Sequence, residues 1–274
     1  MTAAPSRQCV PIATVLILAF AAPGRAEEPA KGTPRPLRAL YITGGCCHDY
    51  DGQKKLLTEA LSARTRIEWT VVHEGGTSNN HRVSIYEVPG WADGYDVVVH
   101  NECFSHVVDR EFVERVVKPH RDGVAAVVIH CGMHTFSELP TDEWRKLLGV
   151  TTRRHGPQQP LEVKVLKPEH PIMKGFPAVW KTGNEELYAI EKVWPDATPL
   201  AQAYATDNKK DHVVIWTNTH GQGRVFATTL THHTHHMRDP AYLDMVTRGL
   251  LWSCNKLTDD GRPQPGYGPA GAAR

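Results

Sequence analysis

Sixteen histidines are spread through the 274-residue chain, and several fall at the same kind of place, just after an apolar run. His48, with Asp49 beside it, follows Leu37–Thr43 and Gly44-Gly45; His100, followed by Asn101, ends Asp96–His100; His130 ends Val124–His130; His232 and His233 follow Arg224–Leu230. Imidazole accepts or donates a proton near neutral pH, and in its neutral form it is the commonest protein ligand for zinc and similar ions. Three or four nitrogen or carboxylate ligands complete a site, so His48, His130 and His232 are the candidate metal ligands, for a divalent ion such as zinc. His130, Glu185 and Glu186 are the candidates for acid and base chemistry, since a carboxylate beside a histidine serves general acid-base catalysis or completes a metal site. Asp49, Asn101 and His155 are the candidate substrate-binding residues. The bland alternative is that a strand-end histidine only satisfies a loop carbonyl; His235 and His236 are expected at the surface, and His155 lies in the polar stretch Arg153–Gly156.

No compact zinc signature is present: His130 and His134 have helical spacing, but a strand-to-helix turn falls between them. That turn, Val128-Ile129-His130-Cys131-Gly132-Met133-His134, has the form of an elbow that presents a nucleophile at a sheet rim. Cys131 is one candidate for that role, with His130 or His134 as its base. Aligning Gly132 with the second glycine of the elbow pattern instead places His130 in the reactive slot. Of six cysteines, Cys9 lies in an N-terminal apolar run, and the remaining five, Cys46, Cys47, Cys103, Cys131 and Cys254, leave at least one unpaired within a chain. The adjacent Cys46 and Cys47 could close only a strained ring and are expected as thiols or as separately paired residues.

The elements that must carry these groups alternate. Apolar strands at Leu37–Thr43, Ile67–Val72, Asp96–His100 and Val124–His130 are separated by amphipathic segments at Lys54–Ala63 and Asp109–Arg121. Strands that are apolar on both faces and separated by helices predict a parallel sheet covered on both sides, a flavodoxin- or Rossmann-like doubly wound α/β fold. In such a sheet ligands bind beyond the carboxyl ends of the strands, which is where the histidines fall. The second half predicts short strands at Leu161–Leu166, Glu186–Ile190 and Pro199–Tyr204. An antiparallel hairpin is predicted from His212–Thr217 and Arg224–Leu230 about Gly221-Gln222-Gly223, followed by a helix at Tyr242–Ser253.

A composition 41% apolar and 22% charged, with a net charge of +1, suits one soluble domain and gives no drive toward nucleic acid or anionic membrane. Cys9–Ala22 is an apolar run preceded by Arg7 and followed by Gly24-Arg25-Ala26. It is too short for a membrane span of roughly twenty residues and reads as a cleaved signal peptide, residues 1–26, of a secreted or periplasmic protein with no membrane span in its mature form. The domain is expected over 37–255 and a disordered tail over 256–274.

Taken in order, Gly44-Gly45 with His48-Asp49, Val128-Ile129-His130, His170-Pro171-Ile172, Asn184-Glu185-Glu186-Leu187-Tyr188, Gly221-Gln222-Gly223-Arg224-Val225-Phe226 and Leu230-Thr231-His232 resemble the ThuA-like, or trehalose-utilisation, family. The resemblance runs from Leu37 to Trp252. It implies a class I glutamine-amidotransferase-like fold in which histidine replaces the amidotransferase cysteine. It also implies a role in sugar catabolism, on a glycoside or keto-sugar, with a small-molecule carbohydrate as partner, no nucleotide cofactor, and a homo-oligomer left open. Cys131-Gly132 stands where the family often has Ser-Ala, and Thr231 where it often has glycine. The rivals are a carbohydrate-binding protein without turnover, using Trp69, Trp91, Trp180, Trp194 or Trp216 as stacking surfaces, and a Cys131 thiol hydrolase.

Overall fold

The computed structural model describes residue 1 and residues 34–269; the expected signal peptide lies outside the described residues. From Leu37 the chain alternates strand and helix: β1 (Leu37–Gly45), α1 (Tyr50–Ser62), β2 (Ile67–His73), β3 (Val97–Cys103), α2 (Arg110–Arg121) and β4 (Ala125–Ile129). After a short α3 (Glu143–Leu148) come β5 (Val150–His155), β6 (Gln159–Val165), β7 (Val179–Glu185), β8 (Tyr188–Val193), β9 (Thr198–Ala205), β10 (Lys210–His220) and β11 (Gly223–Thr228), then α4 (Pro240–Ser253). Nine strands form one sheet in the order β2-β1-β3-β4-β11-β10-β9-β6-β7, and β5 pairs with β8 in a second, two-stranded sheet. The pairs from β2 through β11 are parallel, and those from β11 to β7 are antiparallel. This is a doubly wound α/β fold with antiparallel strands added in the C-terminal half.

The two faces follow from the period-two alternation of buried strand residues. Leu37, Ala39 and Tyr41, with Val97, Val99, Val127 and Ile129, pack under α1 and α4. Leu40 and Ile42, with Val98, Ala126 and Val128, pack under α2 and α3 on the other face. In α2, Phe112, Val113, Val116 and Val117 are fully buried, each worth about 1.5–3 kcal/mol over an exposed side chain.

Several expectations change. β3 continues three residues beyond His100, so His100 and Asn101 are interior residues and not strand-end groups. β5 and β7 replace polar stretches in which no strand was expected; each is exposed along much of its length, and this hides the apolar signature of a strand. The segment expected at Glu186–Ile190 starts two residues later, leaving Glu186 in the link between β7 and β8. Residues 256–269, expected to be disordered, close a Leu257–Pro263 bridge, and the Tyr267 carbonyl accepts hydrogen bonds from Thr65 Oγ1 and Arg66 N. The tail thus covers the otherwise open end of the α1–β2 connection.

Candidate metal centre

β1, β4 and β11 run parallel and end at one rim of the sheet, and His48, His130 and His232 emerge there. One nitrogen from each ring lies within 4.8 Å of the others. His130 leaves β4 at a backbone φ of +42°, the left-handed conformation that turns the chain sharply and aims the ring off the strand end. Gly132 makes the turn feasible, because a Cβ there would lie 2.8 Å from Val128 Cγ1 and 2.9 Å from the His100 carbonyl. Thr231, at φ +73°, occupies a second left-handed position, one that favours glycine.

Each ring is oriented by its surroundings. His130 Nδ1 donates to the Thr229 carbonyl at 2.6 Å, which leaves Nε2 facing the site. His48 Nδ1 lies 3.4 Å from the His232 carbonyl, and burial followed by the neighbouring His130 and His232 holds its pKa down to about 3, so the ring is neutral. The His232 backbone N–H donates to Glu185 Oε2 at 2.7 Å. Its Nδ1 lies 3.3 Å from His130 Nε2 and 3.2 Å from Glu186 Oε2. The bond to Glu186 raises the proton affinity of His232, against burial. Burial alone would raise Glu186, but the neighbouring His130 and His232 imidazoles hold its carboxyl well below the usual range. Glu186 is thus a half-buried carboxylate facing three imidazoles.

Three imidazole nitrogens, two of them on rings steadied through the other nitrogen by backbone carbonyls, and one carboxylate are the donor set of a divalent transition-metal site. His48, His130 and His232 form a cluster able to coordinate such an ion. The cluster opens into a cavity of about 270 Å³ whose walls include Cys103, His134, Arg153, His155, Glu186 and Tyr188.

The remaining candidates separate. His155 lines the cavity with Nε2 3.6 Å from Glu186 Oε1. Glu185, expected as an acid or base, is fully buried and points away from the cavity, holding the His232 backbone and the ring of His236. His236, expected at the surface, is therefore a partner of a buried carboxylate. Asn101, expected at the substrate, is buried and gives its amide to Tyr41 Oη at 2.8 Å and Gln53 Oε1 at 2.9 Å. Asp49 caps α1 by accepting from Gly52 N at 2.9 Å, and its carboxylate is taken up in that cap and in a bond from Thr234. Trp91, Trp180 and Trp216 are core residues, and Trp69 and Trp194 do not line the cavity, so the tryptophans offer it no stacking surface. The spacing gave no sign of Tyr188, which stacks on His134 at 4.1 Å, or of Arg153 at the mouth.

The cysteines also depart from expectation. Cys46 and Cys47 are disulfide-bonded to each other. The adjacent pair is accommodated because Cys47 adopts a left-handed φ of +87° in a turn already reversed by Gly44 and Gly45. Cys131 is buried, and burial followed by its neighbour Cys103 pushes its thiol well above the ordinary range, the opposite of an activated nucleophile.

The fold and site define a doubly wound α/β protein with a strained elbow, bearing histidine, at the end of a central strand. The family described as trehalose utilisation, ThuA, matches residues 60–253, and the chain belongs to it. A ThuA-like protein from Parabacteroides merdae is 18% identical with a TM-score of 0.61, covering 86% of this chain and 97% of its own. One from Bacteroides uniformis is 15% identical with a TM-score of 0.62, covering 86% and 99%. A GMP synthase subunit from Thermoplasma acidophilum is similar at 16% identity and a TM-score of 0.51, covering 81% and 96%. No curated protein sequence matches the chain.

Proposed function

We propose that this protein is a metal-dependent enzyme of sugar catabolism, a hydrolase or lyase acting on a glycoside or keto-sugar. The observation that carries the reading is the convergence of His48, His130 and His232 on one point, with Glu186 Oε2 within 3.5 Å of His130 Nε2. The family description, trehalose utilisation, supports the sugar, and the cavity is of a size for one sugar ring.

His48, His130 and His232 would hold the ion. A divalent ion there supplies Lewis-acid stabilisation of negative charge developing on a substrate oxygen. Glu186 faces the cavity beside the histidines and is placed to accept the proton released by a substrate hydroxyl or carbon acid and to return it to the leaving group, in a site where the imidazoles that lower its proton affinity would be taken up by the ion. His155, beside Glu186 Oε1, orients that carboxylate and meets the substrate at the mouth. Glu185 keeps His232 in place from behind.

Export through the segment 1–26 belongs to the same proposal and rests on the apolar run Cys9–Ala22. Among the described residues no helix is long and apolar enough to cross a membrane.

The test is turnover of a panel of glycosides and keto-sugars by purified protein, stripped with a chelator and restored with zinc, cobalt or manganese. We expect activity to follow the metal. His130→Ala and Glu186→Gln should each lose about a hundredfold or more, with Cys131→Ala retained within a few fold. A dead Cys131→Ala beside an active His130→Ala would overturn the reading, and so would activity in the stripped protein.

A further inference from the structure

The loop that delivers His48 carries a feature that the metal chemistry leaves unused. Cys46 and Cys47 are joined to each other, both line the cavity, and the next residue in the chain is His48. Gly44, Gly45 and Cys47 all have left-handed φ values, +130°, +102° and +87°. At Gly44 and Gly45 a Cβ would run into the carbonyls of Glu74 and Cys103, so the reversal is fixed up to residue 45 by its neighbours. Beyond that point the loop is tethered at only a few places. The Cys46 carbonyl accepts from Tyr50 Oη at 3.1 Å, and α1 begins under its Asp49 cap. The tie of His48 itself, Nδ1 to the His232 carbonyl, is long at 3.4 Å.

The conformation of residues 46 and 47 therefore sets where the His48 ring stands, and the ring closed by the disulfide restricts that conformation. Cys47 is exposed and open to a reductant. The other two thiols on the cavity wall, Cys103 and Cys131, are buried and packed with Tyr50.

We propose that the Cys46–Cys47 disulfide is a redox-sensitive positioning element for His48, so that two-electron reduction by an external dithiol lowers the affinity of the site for metal. This rests on the reading of the histidine cluster as a metal centre. A thiolate of the reductant attacks one sulfur of the pair, the sulfur-sulfur bond breaks, and the other sulfur leaves as a thiolate and takes a proton. The second thiol of the reductant then displaces the protein from the mixed disulfide. The products are two protein thiols and the oxidised, cyclic form of the reductant. Reduction turns the closed ring into two freely rotating side chains, and His48 must then be ordered at the moment the metal binds.

The experiment is a Co(II) titration of the purified full chain, air-oxidised or treated with a water-soluble phosphine, which consumes one water and yields the phosphine oxide and the same two thiols. Thiol counting should give two more titratable groups after reduction, and Co(II) affinity should fall by at least about fivefold. A Cys46→Ser, Cys47→Ser double variant should bind like the reduced form and ignore the phosphine. The wild-type comparison alone carries the test if that variant fails to fold. An unchanged thiol count overturns the proposal, as does affinity equal in the two states. So does tighter binding with a sulfur-to-cobalt charge-transfer band, which would make the cysteines ligands. Equal binding in both states leaves the metal centre standing. Absence of Co(II) binding in either state removes the metal centre and this proposal together.

Discussion

His130 occupies a left-handed backbone position at the end of a fully buried strand, a conformation that costs a side-chain-bearing residue on the order of 1–3 kcal/mol. The rest of the sheet sustains it, and the result is a ring aimed at the rim with its Nδ1–H already committed to the Thr229 carbonyl. Glu185 plays the complementary part from behind, accepting from the His232 N–H and pairing with His236. Glu185→Gln should weaken metal binding by about 10–100-fold, the usual effect of losing an outer partner. It should also cost about 1–3 kcal/mol of stability through the buried partners it leaves. Calorimetric metal titration and urea unfolding of the variant check both. A second residue-scale prediction concerns His120, which is buried against His100, with His220 near enough to add to its field. Burial, then His100, lowers its pKa from 6.5 to about 3. Between those two values the unfolded chain binds a proton that the folded chain refuses, so stability falls as pH falls from about 6.5 toward 3. His120→Gln cannot titrate, and its unfolding free energy should depend less steeply on pH over that interval. An unchanged slope would show that His120 does not contribute to it.

At the scale of elements, α4 closes one face of the sheet by resting directly on β11, the strand whose end delivers His232. Gly249 permits this approach, since a Cβ there would run into the Phe226 ring. Gly249→Ala gains about 1 kcal/mol in helix propensity. Overpacking costs about 1–3 kcal/mol, and with the aromatic ring fully buried the clash should win. Urea denaturation should therefore find the alanine variant less stable than wild type; a more stable variant would show that α4 can shift outward freely. The displaced helix should also disturb the loop between β11 and α4, so the same variant is expected to bind metal more weakly. β4 and the turn after it depend in the same way on Gly132, where Val128 and the His100 carbonyl leave no room for a side chain.

At the scale of the whole molecule, the antiparallel strands continue the parallel ones in a single sheet, and the centre draws His48 from the first strand and His232 from beyond the last. Residues 34–269 should therefore unfold as one cooperative unit. Tryptophan fluorescence and far-ultraviolet circular dichroism should give coincident urea transitions. A proteolytic cut in the exposed stretch 153–159 should release no separately stable half. Two resolved transitions, or a surviving fragment on either side of the cut, would refute this.

The sequence by itself determined the alternation of strands and helices, because a strand buried on both faces must be apolar throughout and a covering helix must be apolar along one stripe. It also determined that His48, His130 and His232 lie just past strands, and strands that end at one rim bring the residues beyond their ends together. The features it left undecided depend on contacts across the chain. His100 reads as a strand end because Asn101, Glu102 and Cys103 break the apolar run, yet β3 lies between β1 and β4, where other elements supply Tyr86 to Glu102 Oε1 and Tyr41 and Gln53 to the Asn101 amide. β5 and β7 are polar because much of each faces solvent, so their pairing is visible only when β8 and β6 lie beside them. Glu185 and Glu186 are neighbours of one type. Only the tertiary structure turns one inward to hold His232 and the other toward the histidine cluster, because successive residues in extended chain point to opposite sides.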